Sequence, residues 1–291
     1  MTEWRDRKQY TPVLGKCMAH VEAGQGDPIL FLHGNPTSSF LWREVMAAME
    51  GAGRLLAPDL IGMGDSDKLD DPGPDSYRFV EHRAYLDAWI DAVVPHGKIT
   101  LVVHDWGSAL GFHWCERNPE RVRGIAYMEA IVRPMAWEEW PEPIRALFQA
   151  MRSEAGEAMI LEKNLFVERI LPGSVLRKLS ETEMAEYRRP FLNPGEDRRP
   201  TLTWPRQIPL GGEPADVAAI AVSYCEWLTT SDVPKLFINA DPGAILTGPM
   251  RETARGFRNQ AQVTVQGSHF IQEDSGLEIG KAIMQWIKDI A

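Results

Sequence analysis

One run of the chain joins a strand pattern directly to a helix pattern: Leu101-Val102-Val103-His104-Asp105-Trp106-Gly107-Ser108-Ala109-Leu110-Gly111. Its first part is continuously apolar, which predicts a strand buried on both faces of a sheet. Residues 109–116 carry a helical pattern that ends before Asn118-Pro119. Asp105 therefore lies at a predicted strand-to-helix junction, with Gly107 two residues later where the backbone must turn tightly.

Similar short apolar runs recur along the chain and predict further strands, at residues 28–32, 54–57, 99–103, 125–128, 235–238 and 263–265. Helical patterns fall between them, for example at residues 79–94. The alternation of strands and helices predicts an α/β fold with a mostly parallel sheet flanked by helices.

The alternation breaks between about Pro134 and Gly212. This part predicts short helices at residues 137–151, 154–166, 182–187 and 204–209, and it is rich in large apolar residues. We expect residues 1–133 and 213–291 to form the main domain and residues 134–212 a helical cap. An ordinary helical subdomain is the alternative, but apolar sites at domain junctions favour a lid over a pocket.

Composition excludes several classes of protein. The 291 residues are 44% hydrophobic and 25% charged, which is typical of a globular chain. The net charge of −10, without a Lys/Arg run, makes nucleic acid an unfavourable partner. We expect no membrane segment and no signal peptide, since long apolar stretches are missing. Three widely spaced cysteines favour a reducing compartment, most simply the cytoplasm.

Asp105 occupies the nucleophile position of an x-Nuc-x-Gly elbow, a tight turn that exposes one side chain above the sheet. Val103 replaces the small residue that usually begins this motif. Asp105 could instead cap the following helix, and Ser108 could be the nucleophile, although Ser108 falls past the apex of the turn. A carboxylate attacks saturated carbon productively but gives an anhydride from an ester or amide. The reaction class is therefore displacement at carbon, from an alkyl halide or an epoxide.

His269 follows the last predicted strand, where the base of an elbow enzyme is expected in the chain order nucleophile, acid, histidine. Two acids could orient it. Glu129 and Asp241 each follow a strand whose carboxyl end faces the site. We favour Glu129, because its apolar surroundings would make an unpaired carboxylate costly. Asp241 stands in a turn sequence with Pro242 and Gly243.

Asn35 and Trp106 are candidate hydrogen-bond donors. The loop at Asn35 and the residue after the nucleophile should supply two backbone N–H groups to an oxyanion. Their side chains also carry N–H donors, which suit a departing halide. Turn formation by Asn35 and simple packing by Trp106 are the alternatives.

Several segments together resemble the haloalkane dehalogenases, with the closest likeness to the subgroup that contains the hexachlorocyclohexane-degrading enzyme. These segments are 33–36 (HGNP), 59–66 (DLIGMGDS), 104–110 (HDWGSAL), 128–131 (MEAI), 199–209 (RPTLTWPRQIP) and 267–274 (GSHFIQED). The likeness runs from about Gly15 to the C-terminus, and it implies an α/β-hydrolase fold with an inserted cap.

The resemblance implies hydrolysis of a small halogenated hydrocarbon to an alcohol, a halide and a proton, without a metal or organic cofactor. It implies Asp105 as nucleophile, His269 as base and Glu129 as acid, with Asn35 and Trp106 as halide donors. We expect the substrate pocket to be set by lid residues and one loop: Trp140, Phe148, Phe166, Ile208, Ile245 and Leu246.

Three alternatives use the same fold. Coelenterazine-using luciferases share the Asp, Glu and His, but their asparagine loop is Asn-Ala where this chain has Asn35-Pro36. Epoxide hydrolases need two lid tyrosines, and this lid offers only Tyr187 before Tyr224. A non-catalytic receptor would leave an intact triad superfluous.

Overall fold

The structure is a computed structural model that describes residues 2–140, 142 and 144–290. Within these residues eight strands form one sheet in the order β1-β2-β4-β3-β5-β6-β7-β8. The strands are β1 Lys8–Val13, β2 Lys16–Ala23, β3 Pro28–Leu32, β4 Arg54–Pro58, β5 Ile99–His104, β6 Val122–Ala130, β7 Lys235–Pro242 and β8 Gln260–Gly267. β1, β2 and β4 pair antiparallel, and the pairs from β4 through β8 are parallel.

The predicted α/β class and each predicted strand are confirmed. β5, the strand before Asp105, is buried at every position because it lies between β3 and β6 with helices on both faces. Parallel strands in this setting need apolar side chains on both faces, which accounts for the continuous run in the sequence.

The β1–β2 hairpin was missed by the strand prediction. β1 lies at the sheet edge and mixes exposed with partly buried residues, so it lacks the apolar run of a central strand. The turn between the two strands has positive φ at both of its residues, 50° at Leu14 and 80° at Gly15. Two such residues form the tight turn that suits the twist of an antiparallel hairpin.

Two groups of helices cover the sheet, α2 with α11 and α4 with α3 and α9. The helices are α1 Thr2–Asp6, α2 Arg43–Ala48, α3 Phe79–Val93, α4 Asp105–Arg117, α5 Ile144–Arg152, α6 Leu171–Gly173, α7 Glu181–Arg188, α8 Arg199–Gln207, α9 Ala215–Thr230, α10 Gly248–Arg255 and α11 Ile271–Asp289. The predicted helix at 79–94 corresponds to α3, and that at 109–116 lies within α4. In the described residues, no helix combines the length and apolarity needed to cross a membrane.

The segment between β6 and β7 is helical throughout much of its length. A 3₁₀ turn at Trp137–Glu139 precedes α5, and α5 to α8 are joined by 3₁₀ turns at Arg189–Phe191 and Glu196–Arg198 and by π-helical segments at Glu157–Glu162 and Phe166–Ile170. The predicted helix at 137–151 is divided into the first 3₁₀ turn and α5, and its residues 141 and 143 lie outside the described residues. The helix predicted at 154–166 is π-helical over Glu157–Glu162, and the one at 204–209 begins earlier, at Arg199.

Candidate active site

The turn at Asp105 brings the backbone of α4 very close to β3. A Cβ on Gly107 would lie 2.2 Å from the carbonyl oxygen of Leu32, so a larger residue cannot fit without moving the strand. Asp105 has φ 49°, an unfavourable value for a non-glycine residue, and strain of this kind is concentrated at functional sites. His104, rather than Asp105, is the N-cap of α4, so helix capping does not account for the Asp105 carboxylate.

The Asp105 carboxylate is buried and held from two sides. Oδ1 accepts a hydrogen bond from the backbone N–H of Asn35 at 2.7 Å, and Oδ2 lies 3.5 Å from His269 Nε2. Burial by itself raises the pKa of Asp105, but the hydrogen bond and charge of His269, with the Trp106 backbone N–H, outweigh it and lower that pKa. Asp105 is therefore ionised, as a nucleophile must be.

His269 lies between two carboxylates. Its Nδ1 is 3.4 Å from Glu129 Oε2, on the side of the ring opposite Asp105. Burial disfavours the imidazolium, yet hydrogen bonds to Asp105 and Glu129 prevail and raise the pKa of His269 to about 9. At neutral pH the ring is thus protonated beside the ionised Asp105.

Glu129 is fully buried at the end of β6, with φ 40°. Its carboxylate accepts backbone N–H groups from the loop after β7: Ala244 at 3.0 Å and Ile245 at 2.7 Å on Oε2, and Leu246 at 3.4 Å on Oε1. Such donors stabilise a buried charge without neutralising it. The sequence could not have indicated this loop as the partner of Glu129.

Asp241, the other candidate acid, is an exposed residue at the end of β7. Its Oδ2 accepts a hydrogen bond from Gln266 at 3.3 Å. The fold thus brings Glu129 to His269 and leaves Asp241 at the surface. Ser108 is also committed elsewhere, since its hydroxyl donates to the Asp105 carbonyl and accepts from Ile131 N–H at 2.9 Å.

His33 and His104 are buried supports beside the site. His33 Nε2 accepts the Leu60 N–H at 2.9 Å, and His104 Nε2 lies 2.9 Å from the His269 carbonyl oxygen, to which it donates. Burial lowers the pKa of His33 to about 4 and that of His104 to about 3, so neither adds a positive charge.

Trp106 is packed in a column of aromatic rings. It stacks on Trp204 with ring centroids 4.4 Å apart, and Trp204 stacks on His82 at 4.1 Å. The indole N–H of Trp204 is buried and has no hydrogen-bond partner among the described residues, whereas Trp106 lines a cavity above Asp105. The Asn35 side chain also faces this cavity, and its Nδ2 makes one long contact, 3.4 Å, to the Thr201 carbonyl. The sequence pattern did not indicate Trp204 or His82 as supports.

A largely apolar cavity of about 410 Å³ opens above Asp105. Asp105, His269, Asn35 and Trp106 lie in its lining. So do five of the predicted pocket residues: Trp140, Phe148, Phe166, Ile208 and Ile245. Leu246 is instead buried outside the lining, with its N–H directed at Glu129. Further lining residues that the sequence did not indicate include Met135, Leu165, Ser174, Pro205, Thr247 and Met250.

Comparison with known proteins agrees with this geometry. A family model described as the alpha/beta hydrolase fold matches residues 27–275. A haloalkane dehalogenase of Sphingobium indicum is 59% identical over 281 residues, which are 97% of this chain and 95% of the relative. The chain belongs to the haloalkane dehalogenase family. The predicted family, fold and hydrolytic dehalogenase activity are thereby confirmed.

Other haloalkane dehalogenases show the same likeness. The enzyme of Mycolicibacterium smegmatis is 54% identical over 98% of this chain and 92% of its own length. The crystal structure of a haloalkane dehalogenase from Bradyrhizobium elkani superposes with a TM-score of 0.92 at 44% identity, covering 97% of this chain and 98% of that one.

Neither the luciferase nor the epoxide hydrolase alternative is favoured by these comparisons. The two tyrosines considered for epoxide protonation are also engaged elsewhere. The Tyr187 hydroxyl donates to Glu273, and the Tyr224 hydroxyl donates to the Ile131 carbonyl at 2.7 Å.

Proposed function

We propose that this haloalkane dehalogenase works in two steps, with Asp105 as nucleophile and His269 as base. One observation carries the proposal: an ionised aspartate at the elbow lies between backbone N–H donors and a histidine and faces an apolar cavity. Such a cavity suits a small halogenated hydrocarbon, which offers few hydrogen-bonding groups.

In the first step one Asp105 oxygen attacks the halogen-bearing carbon. Oδ1 is occupied by the Asn35 N–H, so Oδ2 is the oxygen available for attack. The new C–O bond forms as the carbon–halogen bond breaks, and the halide leaves with the bonding electron pair. The side-chain N–H groups of Asn35 and Trp106 receive it, because both residues line the cavity beside Asp105.

In the second step His269 removes a proton from water, and the oxygen attacks the carboxyl carbon of the Asp105 ester. The negative charge that develops on Oδ1 is held by the backbone N–H groups of Asn35 and Trp106. Collapse of this intermediate breaks the bond between the carboxyl carbon and the alkoxy oxygen. The departing oxygen takes the proton of the added hydroxyl, so that the alcohol leaves and Asp105 is restored as a carboxylate. Glu129 stabilises the His269 imidazolium until its proton is lost to solvent. The sum is haloalkane plus water to alcohol, halide and proton.

We also propose that residues 134–212 form the cap. The two ends of this segment are hydrogen-bonded to each other at its base, Met135 N–H to Pro209 O at 3.0 Å and Gly211 N–H to Met135 O at 2.9 Å. The segment supplies much of the cavity wall above Asp105. The described thiols of Cys17, Cys115 and Cys225 are free, which supports a cytoplasmic setting.

Halide release tests the proposed function. Mixing the protein with a panel of brominated and chlorinated alkanes should release halide, alcohol and acid in equal amounts. Asp105→Ala should abolish this release, because the remaining groups cannot form the ester. Undiminished release by the folded variant would exclude Asp105 as the nucleophile.

Trp106→Phe tests the halide site. Added bromide or iodide should change tryptophan fluorescence saturably in the natural protein and only collisionally in the variant. Loss of one donor to developing charge should lower kcat by roughly 10²-fold or more. The chain has 10 Trp, so Trp227→Phe, outside the cavity lining, is a matched control for loss of one indole. An unaltered saturable response in Trp106→Phe would contradict the assignment.

A further inference from the structure

The loop that carries His269 is hydrogen-bonded to the wall segment, residues 174–177, which precedes α7. The Phe270 N–H donates to the Ser174 carbonyl at 3.1 Å, and Ser174 itself lines the cavity. His269 is thus followed immediately by a residue whose backbone is held by the cavity wall.

Asp274, in the first turn of α11, holds the residue on the other side of His269. Its Oδ2 accepts the Ser268 N–H at 3.1 Å. Its Oδ1 accepts two backbone N–H groups of the same wall segment, Leu176 at 2.9 Å and Arg177 at 3.1 Å. One carboxylate therefore bridges the backbone before the histidine to residues 176 and 177.

The neighbouring Glu273 also binds the wall segment to α11. Its carboxylate is almost completely buried and lies 2.6 Å from both Nη atoms of Arg43 and 2.5 Å from Arg177 Nη2. The Arg177 Nε also donates to the Glu273 carbonyl at 2.6 Å. Since Arg43 belongs to α2, this cluster ties the wall segment to α2 as well as to α11.

We propose that Asp274 is a positioning residue for the second step of the reaction, one that sets the orientation of His269. The proposal rests on the two-step function above. The first step uses Asp105, Asn35 and Trp106, which follow β3 and β5 and have no contact with Asp274. The second step needs one imidazole nitrogen on water and the other on Glu129 at 3.4 Å, so it depends on the His269 backbone.

Asp274→Asn separates the two steps. The amide keeps one acceptor oxygen, and its NH₂ group would face a backbone N–H. Leu176 lies within reach of both oxygens, at 2.9 and 3.2 Å, so the N–H group that loses its acceptor is that of Ser268 or that of Arg177. A shift of a catalytic group by about 1 Å can reduce a catalytic rate by about 10²-fold. We expect the hydrolysis rate constant to fall between about 10- and 100-fold, while the alkylation rate constant stays within about twofold.

Rapid-quench kinetics with 1-bromobutane measure both constants. The expected result is a halide burst of one per active site at the natural rate, accumulation of alkylated protein, and a fall in kcat and KM together that leaves kcat/KM unchanged. This split follows because kcat/KM reports only steps up to the irreversible alkylation. A loss of folding alone would lower the burst amplitude instead.

Asp65→Asn is the matched control. Asp65 also binds the helical segment, joining it to the loop after β4 through Arg189 at 2.7 and 2.9 Å, but it has no hydrogen bond to the His269 loop. It should not cause alkylated protein to accumulate. If Asp274→Asn does not fold, Asp274→Glu, with its longer arm, should show the same split at smaller size.

An unchanged hydrolysis rate in a folded Asp274 variant, or an equal loss of kcat and kcat/KM, would overturn the positioning role. Failure of the proposed function is distinguishable, because the natural protein would then give neither a halide burst nor an alkylated Asp105.

Discussion

Replacement of His269 by Phe should still allow Asp105 to displace the halide but should stop hydrolysis of the Asp105 ester, so that one alkyl group accumulates on each chain. Among the described residues, Asn35 and Trp106 donate N–H groups to Asp105, and neither can take a proton from water. A general base contributes roughly 10²- to 10⁴-fold, so turnover should fall by at least about 10²-fold.

We propose, from the charges around His269, that the base becomes available only after alkylation. In the free enzyme burial disfavours the imidazolium, but Asp105 and Glu129 together raise its pKa to about 9, so the ring is protonated at pH 7 and cannot act as a base. Alkylation converts Asp105 into a neutral ester and removes one of the two charges. We therefore expect the pKa of His269 to fall, which favours neutral imidazole when water must be activated.

Intact-protein mass spectrometry after mixing with 1-bromobutane measures this outcome. A butyl adduct on His269→Phe, mapped to Asp105 and accompanied by a stoichiometric halide burst, is expected. Ser268→Ala is a neighbouring control that keeps the base and should form no lasting adduct. An adduct on Ser108 or a cysteine, or retained turnover without an adduct, would contradict the mechanism.

Glu129→Gln should cost far more activity than Asp241→Asn. Glu129 is fully buried, and its carboxylate is the counter-charge of His269 Nδ1 at 3.4 Å. The amide has nearly the same shape and can still accept the Ala244 and Ile245 N–H groups, so the main change is the lost charge. We expect kcat to fall by about 10²-fold or more, with the larger loss in the hydrolysis step.

Asp241→Asn is the control, because the side chain is exposed and bonds only weakly to Gln266. Its kcat should stay within about twofold of the natural value, as for most surface substitutions. Steady-state kinetics and thermal unfolding of both variants decide the comparison. A greater loss in Asp241→Asn would assign the acid to β7 instead of β6.

Much of the central machinery was accessible from the sequence because local patterns encode it. The strand before Asp105 and the glycine after it predict an elbow, and the fold confirms why Gly107 is needed there. The choice of Glu129 over Asp241 was also possible, since an acid in an apolar run needs a buried partner. The β1–β2 hairpin escaped prediction because an edge strand has only one well-buried face and no continuous apolar run.

The sequence by itself predicted the order of the proposed catalytic groups along the chain: an aspartate elbow at residue 105, an acid at the end of the next strand and a histidine after the last strand. Tertiary structure alone decided which groups hold these residues in place. Leu246 donates its backbone N–H to Glu129, and its side chain does not line the cavity. Asp274 accepts the backbone N–H groups of Leu176 and Ser268, which are far apart in the sequence. Contacts of this kind use backbone N–H groups, which every residue except proline carries, so no residue type in the sequence can announce them.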